Sequence, residues 1–217
     1  MPEPYQLGKY VYILNGEELP DRDLVGGKAW SISRMMNLGL RVPPAIVITT
    51  DACREYLREG DFPSGLAQEV EEAVGWLEST SGRTLGGGTK PLLLSVRSGA
   101  SVSMPGMMDT ILNLGINPVS ASAIAEETSD PVFANDTYSR FVSLYAKIVL
   151  KAVLPENPSS TPMEMISELK RLDLVIPEDP RGQLMAAIQA VFESWNTRRA
   201  RKWREKKGID DSLGTAV

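Results

Sequence analysis

The hydrophobic period of this chain changes once, near Asn117, and that change limits the fold more than any single motif does. Before it, short β-branched and aromatic runs alternate with helical patterns. Tyr10-Val11-Tyr12-Ile13-Leu14 reads as a strand closed by the turn dipeptide Asn15-Gly16. Ile32, Met35 and Met36 then recur at helical spacing until Leu38-Gly39 supplies a stop. Ala45 to Ile48 is a second short strand, and Thr49-Thr50 is placed to cap a helix beginning near Asp51. Leu66, Val70, Ala73, Val74 and Leu77 mark one face of a further helix, and Gly86-Gly87-Gly88 closes that unit. Leu92 to Val96 is a third strand, whose apolar run implies burial on both sides.

After Asn117 the β signals thin out. Tyr138, Phe141, Val142, Tyr145, Ile148 and Val149 share one helix face, with Asn135 or Asp136 as its expected cap. Pro155 to Pro162 reads as a linker, and Thr161-Pro162-Met163-Glu164 has the spacing of a capping box with proline at the first helical position. Leu184, Ile188, Val191, Phe192 and Trp195 form a last amphipathic face. The expected fold is therefore α/β (α+β). It places an α/β subdomain with a small mixed sheet and flanking helices over residues 1–116, a helical subdomain over 117–194, and a basic segment over 195–217.

Composition narrows the chemistry. The 217 residues, 42% of them hydrophobic, suffice for a real core in one to two domains. There is no histidine, which removes a Ser-His-Asp triad, a Cys-His pair, a histidine metal cluster and a phosphohistidine. Cys53 stands alone, so no intramolecular disulfide or thiolate cluster forms, and a buried apolar role is expected for it. Met1-Pro-Glu-Pro-Tyr5 has no basic stretch leading into an apolar one, and no uncharged apolar run approaches the ~20 residues that span a bilayer. A soluble, cytoplasmic protein without a membrane partner is expected. The net charge of -5 hides a division: residues 195–217 carry seven basic and three acidic side chains. The Arg198 to Lys207 cluster is expected to be a solvated helix face, and overall acidity argues against nucleic acid as partner.

Two segments are placed to hold an anion. Gly26-Gly27-Lys28 lies between a strand and a helix, where backbone N–H groups face outward and glycine permits close approach. It lacks the spacing of a P-loop. Arg97 and Ser98 follow a strand, at the kind of edge where open α/β sheets hold ligands, and a guanidinium fork suits phosphate oxygens. The sequel Val102-Ser-Met-Pro-Gly-Met-Met-Asp-Thr110 is too apolar for a solvated tip and reads either as a lid or as core filler.

The run from Leu94 to Gly115, with Ser-Met-Pro-Gly-Met-Met-Asp-Thr at its centre, closely resembles the nucleotide-binding domain of the pyruvate phosphate dikinase family. Val25-Gly-Gly-Lys28, Asn37 to Pro44, Ile48-Thr-Thr50, Phe133 to Phe141, Ala190 to Trp195 and Gly214-Thr-Ala-Val217 agree in the same order. The resemblance implies one ATP-grasp-like subdomain with a helical insertion, binding ATP with Mg2+. It implies that Lys28, Arg97 and Arg140 contact the ATP phosphates, with Gly26, Gly27 and Ser98 beside them and no catalytic residue in this chain. Further expectations are metal ligands outside this chain and a second cleft half beyond Val217. The family's partner is a separate phosphohistidine domain that passes the phosphoryl group to a pyruvate/phosphoenolpyruvate barrel. Ala29-Trp30-Ser31 departs from the family's Gly-small-Asn continuation, and Asn196-Thr-Arg-Arg-Ala200 from its Asn-Pro-Arg-Ala. These departures, with the basic segment, motivate an alternative: a non-catalytic interaction module derived from the same fold.

Overall fold

A computed structural model describes residues 6–17, 19–102, 104, 106, 108–154 and 161–217. In chain order the elements are β1 (Val11–Leu14), α1 (Arg22–Asn37), β2 (Ala45–Ile48), α2 (Thr50–Glu59), α3 (Leu66–Ser81), β3 (Thr84–Leu85), β4 (Pro91–Leu92), β5 (Leu94–Arg97), β6 (Thr110–Leu114), α4 (Pro118–Thr128), α5 (Pro131–Ile148), α6 (Pro162–Arg171), α7 (Pro180–Ser194) and α8 (Arg198–Lys207). A short 3-10 turn, Asp211–Leu213, follows. This is a mixed α/β chain, and among the described residues six strands pair two by two in three small sheets rather than in the single mixed sheet expected. Among the described residues no helix is long and apolar enough to cross a membrane.

The chain forms two compact units, each assembled from separated segments. The first comprises Met1–Thr80, Arg97–Asp109 and Val191–Val217. In it β1 and β2 pair antiparallel, with Val11 opposite Ile48 and Leu14 opposite Ala45. Leu14, Val25, Ala29, Val47 and Ala216 make one buried cluster. The last residue continues the pairing: the Ile48 N–H donates to Val217 O at 2.8 Å and the Val217 N–H to Ile48 O at 2.9 Å. The start of β1 is fixed by a carboxylate as well as by its pairing with β2. Glu69, on α3 and almost fully buried, accepts from the backbone N–H of Lys9 at 2.8 Å, Tyr10 at 2.7 Å and Val11 at 2.8 Å. Three charge-assisted bonds compensate the desolvation that a buried carboxylate costs.

The second unit comprises Ser81–Val96 and Thr110–Ala190. β3 and β4 run parallel, β5 pairs with β6, and α5 packs on β6, α4 and α6. Ile111, Leu114, Ile116, Phe141, Val142 and Tyr145 are among its most buried side chains. The expected boundary at 116/117 does not coincide with the division between units. β3 to β6 find their partners among themselves and give α4 and α5 a surface to pack on, so β-rich sequence joins the helical unit.

Local signals are largely realised. Thr49 caps α2, Gly39 with φ +76° follows α1, and the Thr161–Glu164 capping box forms in both directions. Two expectations are corrected. The cap of the long helix is Asp130, whose carboxylate accepts from the Phe133 N–H at 2.9 Å, with Pro131 at the first position; Asn135 and Asp136 are interior. Leu92 to Val96 is not one strand buried on both faces: it divides into β4 and β5, with Ser95 exposed and Val96 buried. Most of the expected linker, 155–160, lies outside the described residues.

Candidate functional site

Gly26 interrupts α1. Its φ of +78° and ψ of 163° are non-helical, so the continuous helix begins after it and Gly27 stands at that start. The reason lies across the chain. A Cβ on Gly26 would sit 1.5 Å from the carbonyl oxygen of Gly99, and the Gly27 N–H donates to Ala100 O at 3.1 Å. The close approach that the glycine pair was expected to offer a ligand is therefore taken by the protein's own backbone, just after Arg97. No L side chain fits this crossing, because both the positive φ and the contact exclude a Cβ.

The crossing brings Lys28 and Arg97 together. Lys28 Nζ donates to the carbonyl of buried Ser98 at 2.6 Å, so Ser98 contributes its main chain to the site. Burial of the ammonium, and then the charge of Arg97, hold the Lys28 pKa below its ordinary value of 10.5. Arg97 is exposed and makes no hydrogen bond or ion pair with any described residue. Among the described residues neither cation forms an ion pair with a carboxylate. Such a pair is electrostatically unsatisfied, and an anion with several oxygens would relieve the repulsion by accepting from both groups.

Arg140 belongs to a different unit from Lys28 and Arg97. It lies on α5 of the second unit, exposed and without a hydrogen bond or ion pair to a described residue. Trp30, one of the departures from the family pattern, lies against the first unit's core with Arg22 and Arg34 each 5.6 Å from its ring centre. Two methionines of the loop, Met104 and Met108, pack as filler, while Val102 and Gly106 are exposed. Met104 is buried with Trp195 and Ala200, and Met108, Leu57 and Trp203 pack around them; Ser103, Pro105 and Met107 lie outside the described residues. Cys53 is buried, and burial pushes its thiol up to about 12.

The basic cluster of α8 divides in two. Arg198, Arg199, Arg201, Lys202, Lys206 and Lys207 are exposed, as expected of a solvated face. Arg204 is instead fully buried. Its Nε donates to Asp211 Oδ1 at 2.7 Å, its Nη1 donates to the Trp195 carbonyl, and its guanidinium lies 4.0 Å from the Trp195 ring centre. Trp195 Nε1 in turn donates to Asp211 O at 2.9 Å.

Sequence reasoning missed the backbone framing of the site. Gly99 exchanges main-chain hydrogen bonds with Ala216, N–H to O at 2.7 Å and the reverse at 3.4 Å. The available signal was that glycines occur on both crossing segments, at 26–27 and at 99.

Comparison with known proteins places this geometry. A family model described as "Pyruvate phosphate dikinase, AMP/ATP-binding domain" matches residues 22–81 and 57–217. Pyruvate, phosphate dikinase of Rhizobium meliloti is 39% identical over 97% of this chain and 27% of that protein's length. The Clostridium symbiosum enzyme of the same name is 36% identical over 97% of this chain and 27% of its own length. That of Giardia intestinalis is 37% identical over 90% of this chain and 25% of its own. The chain spans about a quarter of the length of the curated relatives it matches.

Proposed function

Given that this chain belongs to the family of the pyruvate phosphate dikinase AMP/ATP-binding domain, we propose that its first unit holds the phosphates of ATP between Lys28 and Arg97. The observation that carries this reading is the pair itself: two cations brought together by a backbone crossing and without an acidic partner among the described residues. Lys28 supplies a point charge and Arg97 a planar fork, the combination that stabilises the charge shifting between phosphates during phosphoryl transfer. Arg140 is a further phosphate contact by family resemblance, with Gly26, Gly27 and Ser98 framing the site through the backbone.

In this reading the fold is one part of an ATP-grasp-like cleft belonging to a longer enzyme. The complete reaction converts ATP, phosphate and pyruvate to AMP, pyrophosphate and phosphoenolpyruvate. By family resemblance the phosphoryl group passes to a histidine on a separate domain, and this chain itself has no histidine. Among the described residues no group of three or more acidic, cysteine or histidine side chains is placed to hold a metal ion. Two cations offer Mg2+ no ligand, so its ligands are assigned to the ATP phosphates and to residues outside this chain.

Calorimetric titration with ATP and Mg2+, on wild type and on Arg97→Ala, tests the reading. Arg97→Ala should lose most of the wild-type heat, and equal isotherms would refute the assignment. Of the features that favour a non-catalytic interaction module, Trp30 and Arg204 are both engaged inside the first unit, which weakens that alternative.

A further inference from the structure

The segment that follows Arg97 is held from two sides. On one side the Gly26–Gly27 turn receives the Gly99 carbonyl and binds the Ala100 carbonyl. On the other, Ala216, fully buried, pairs with Gly99 through both main-chain bonds, while the next residue, Val217, pairs with Ile48 of β2. Ala216 and Val217 are therefore a two-residue strap between β2 and the backbone of Gly99. Ser98, whose carbonyl holds Lys28, is the neighbour of the strapped residue, and Arg97 is one further away. None of the strap's bonds involves a side chain that would touch a ligand.

We infer that the Ala216–Val217 strap is a positioning element of the phosphate site: by fixing Gly99 it sets the Ser98 carbonyl, and through it the spacing of the Lys28 ammonium from the Arg97 guanidinium. This rests on the reading of Lys28 and Arg97 as phosphate ligands and deepens it by naming what holds them apart. Geometry gives the strap its leverage. Lys28 is tethered by one bond to one carbonyl, and a peptide plane carries that carbonyl together with the Gly99 N–H, the group that Ala216 O accepts from. Rotation of the plane would move the acceptor of Lys28 and break the Gly99 to Ala216 bond at once. Binding at the cations and closure of the strap are then coupled, and the coupling is reciprocal.

The first test uses the unaltered chain. Amide hydrogen exchange is followed at Gly99 and Val217 with and without saturating inorganic tripolyphosphate and Mg2+. Exchange at both amides should slow about fivefold or more on binding, and the slowing should be absent in Lys28→Ala at a concentration that still saturates it. Unchanged exchange in a wild type that calorimetry shows to be saturated would overturn the strap while leaving the phosphate site standing. If the wild type binds no tripolyphosphate, the phosphate reading fails and the strap with it. The second test is a cycle of Ala216→Pro, which removes the bond to Gly99 O, and Lys28→Ala. Ala216→Pro should weaken tripolyphosphate binding about tenfold in the wild-type background and less than about twofold in Lys28→Ala. Full additivity of the two losses would show a merely structural role. Should Ala216→Pro not fold, the exchange experiment decides alone.

Discussion

The first unit contains two arginines that the chain treats in opposite ways. Arg204 is fully buried, bonded to Asp211 and the Trp195 carbonyl, and stacked on an indole. Arg97 is exposed and has no hydrogen-bond or ion-pair partner among the described residues, and its charge acts on another cation, Lys28. A guanidinium used to hold a fold is neutralised and dehydrated by its own chain, because an unpaired buried charge is too costly. Arg97 is instead left in water, and Lys28 beside it is held at a lowered pKa first by burial and then by the charge of Arg97. Solvation and partners, rather than position in a basic run, separate the two roles.

The strongest challenge to this contrast acts on the crossing that creates the Lys28 and Arg97 pair. Gly26→Val places a side chain at φ +78° and into the Gly99 carbonyl, and should cost about 3 kcal/mol or more, measured by denaturant unfolding. A variant as stable as wild type would mean that the two segments do not cross there. Next in size is Arg204→Ala, which removes bonds to Asp211 and the Trp195 carbonyl together with packing on the indole. A loss of about 2 to 4 kcal/mol is expected, with affinity for ATP little changed at temperatures where the variant is folded. Arg97→Ala should show the reverse pattern, unaltered stability and weakened binding.

The smallest effect is one of titration. With its folded-state pKa below the unfolded value, Lys28 loses its proton earlier in the native state than in the unfolded chain. Between the two values the unfolded chain holds more protons, so stability rises with pH across that window. Nitrogen-detected NMR of the Lys28 ammonium should show this early titration. Arg97→Ala should move it upward only in part, because burial is the larger cause and remains. A titration point unmoved by removal of Arg97 would show that the two cations are not coupled.

The legible and illegible parts of the molecule divide along the same physical line. The Thr49 cap and the Thr161–Glu164 capping box were readable because their partners lie within a helical turn. Lys28, Arg97 and Arg140 could be named because they occupy matched family motifs, and the position of Lys28 beside Ser98 and Arg97 follows from glycines present on both crossing segments. The carboxylate of Glu69 serves three amides some sixty residues away, and no local pattern announces it. The strap at Ala216 and Val217 is also invisible, since main-chain bonds depend on where the backbone travels and not on which side chains it carries. Arg204 was read as solvated with its basic neighbours because helix periodicity does not reveal that Trp195 and Asp211 converge on one residue of the run.

The central claim is that phosphate affinity resides in the Lys28 and Arg97 pair and not in the basic charge of the chain at large. Arg97→Ala and Arg201→Ala remove the same charge from two exposed positions, one in the pair and one on the solvated face of α8. Titrated with inorganic tripolyphosphate and Mg2+ at one ionic strength, Arg97→Ala should bind about tenfold or more weakly than wild type, while Arg201→Ala binds as wild type does. Equal losses in the two variants, or none in either, would contradict the account.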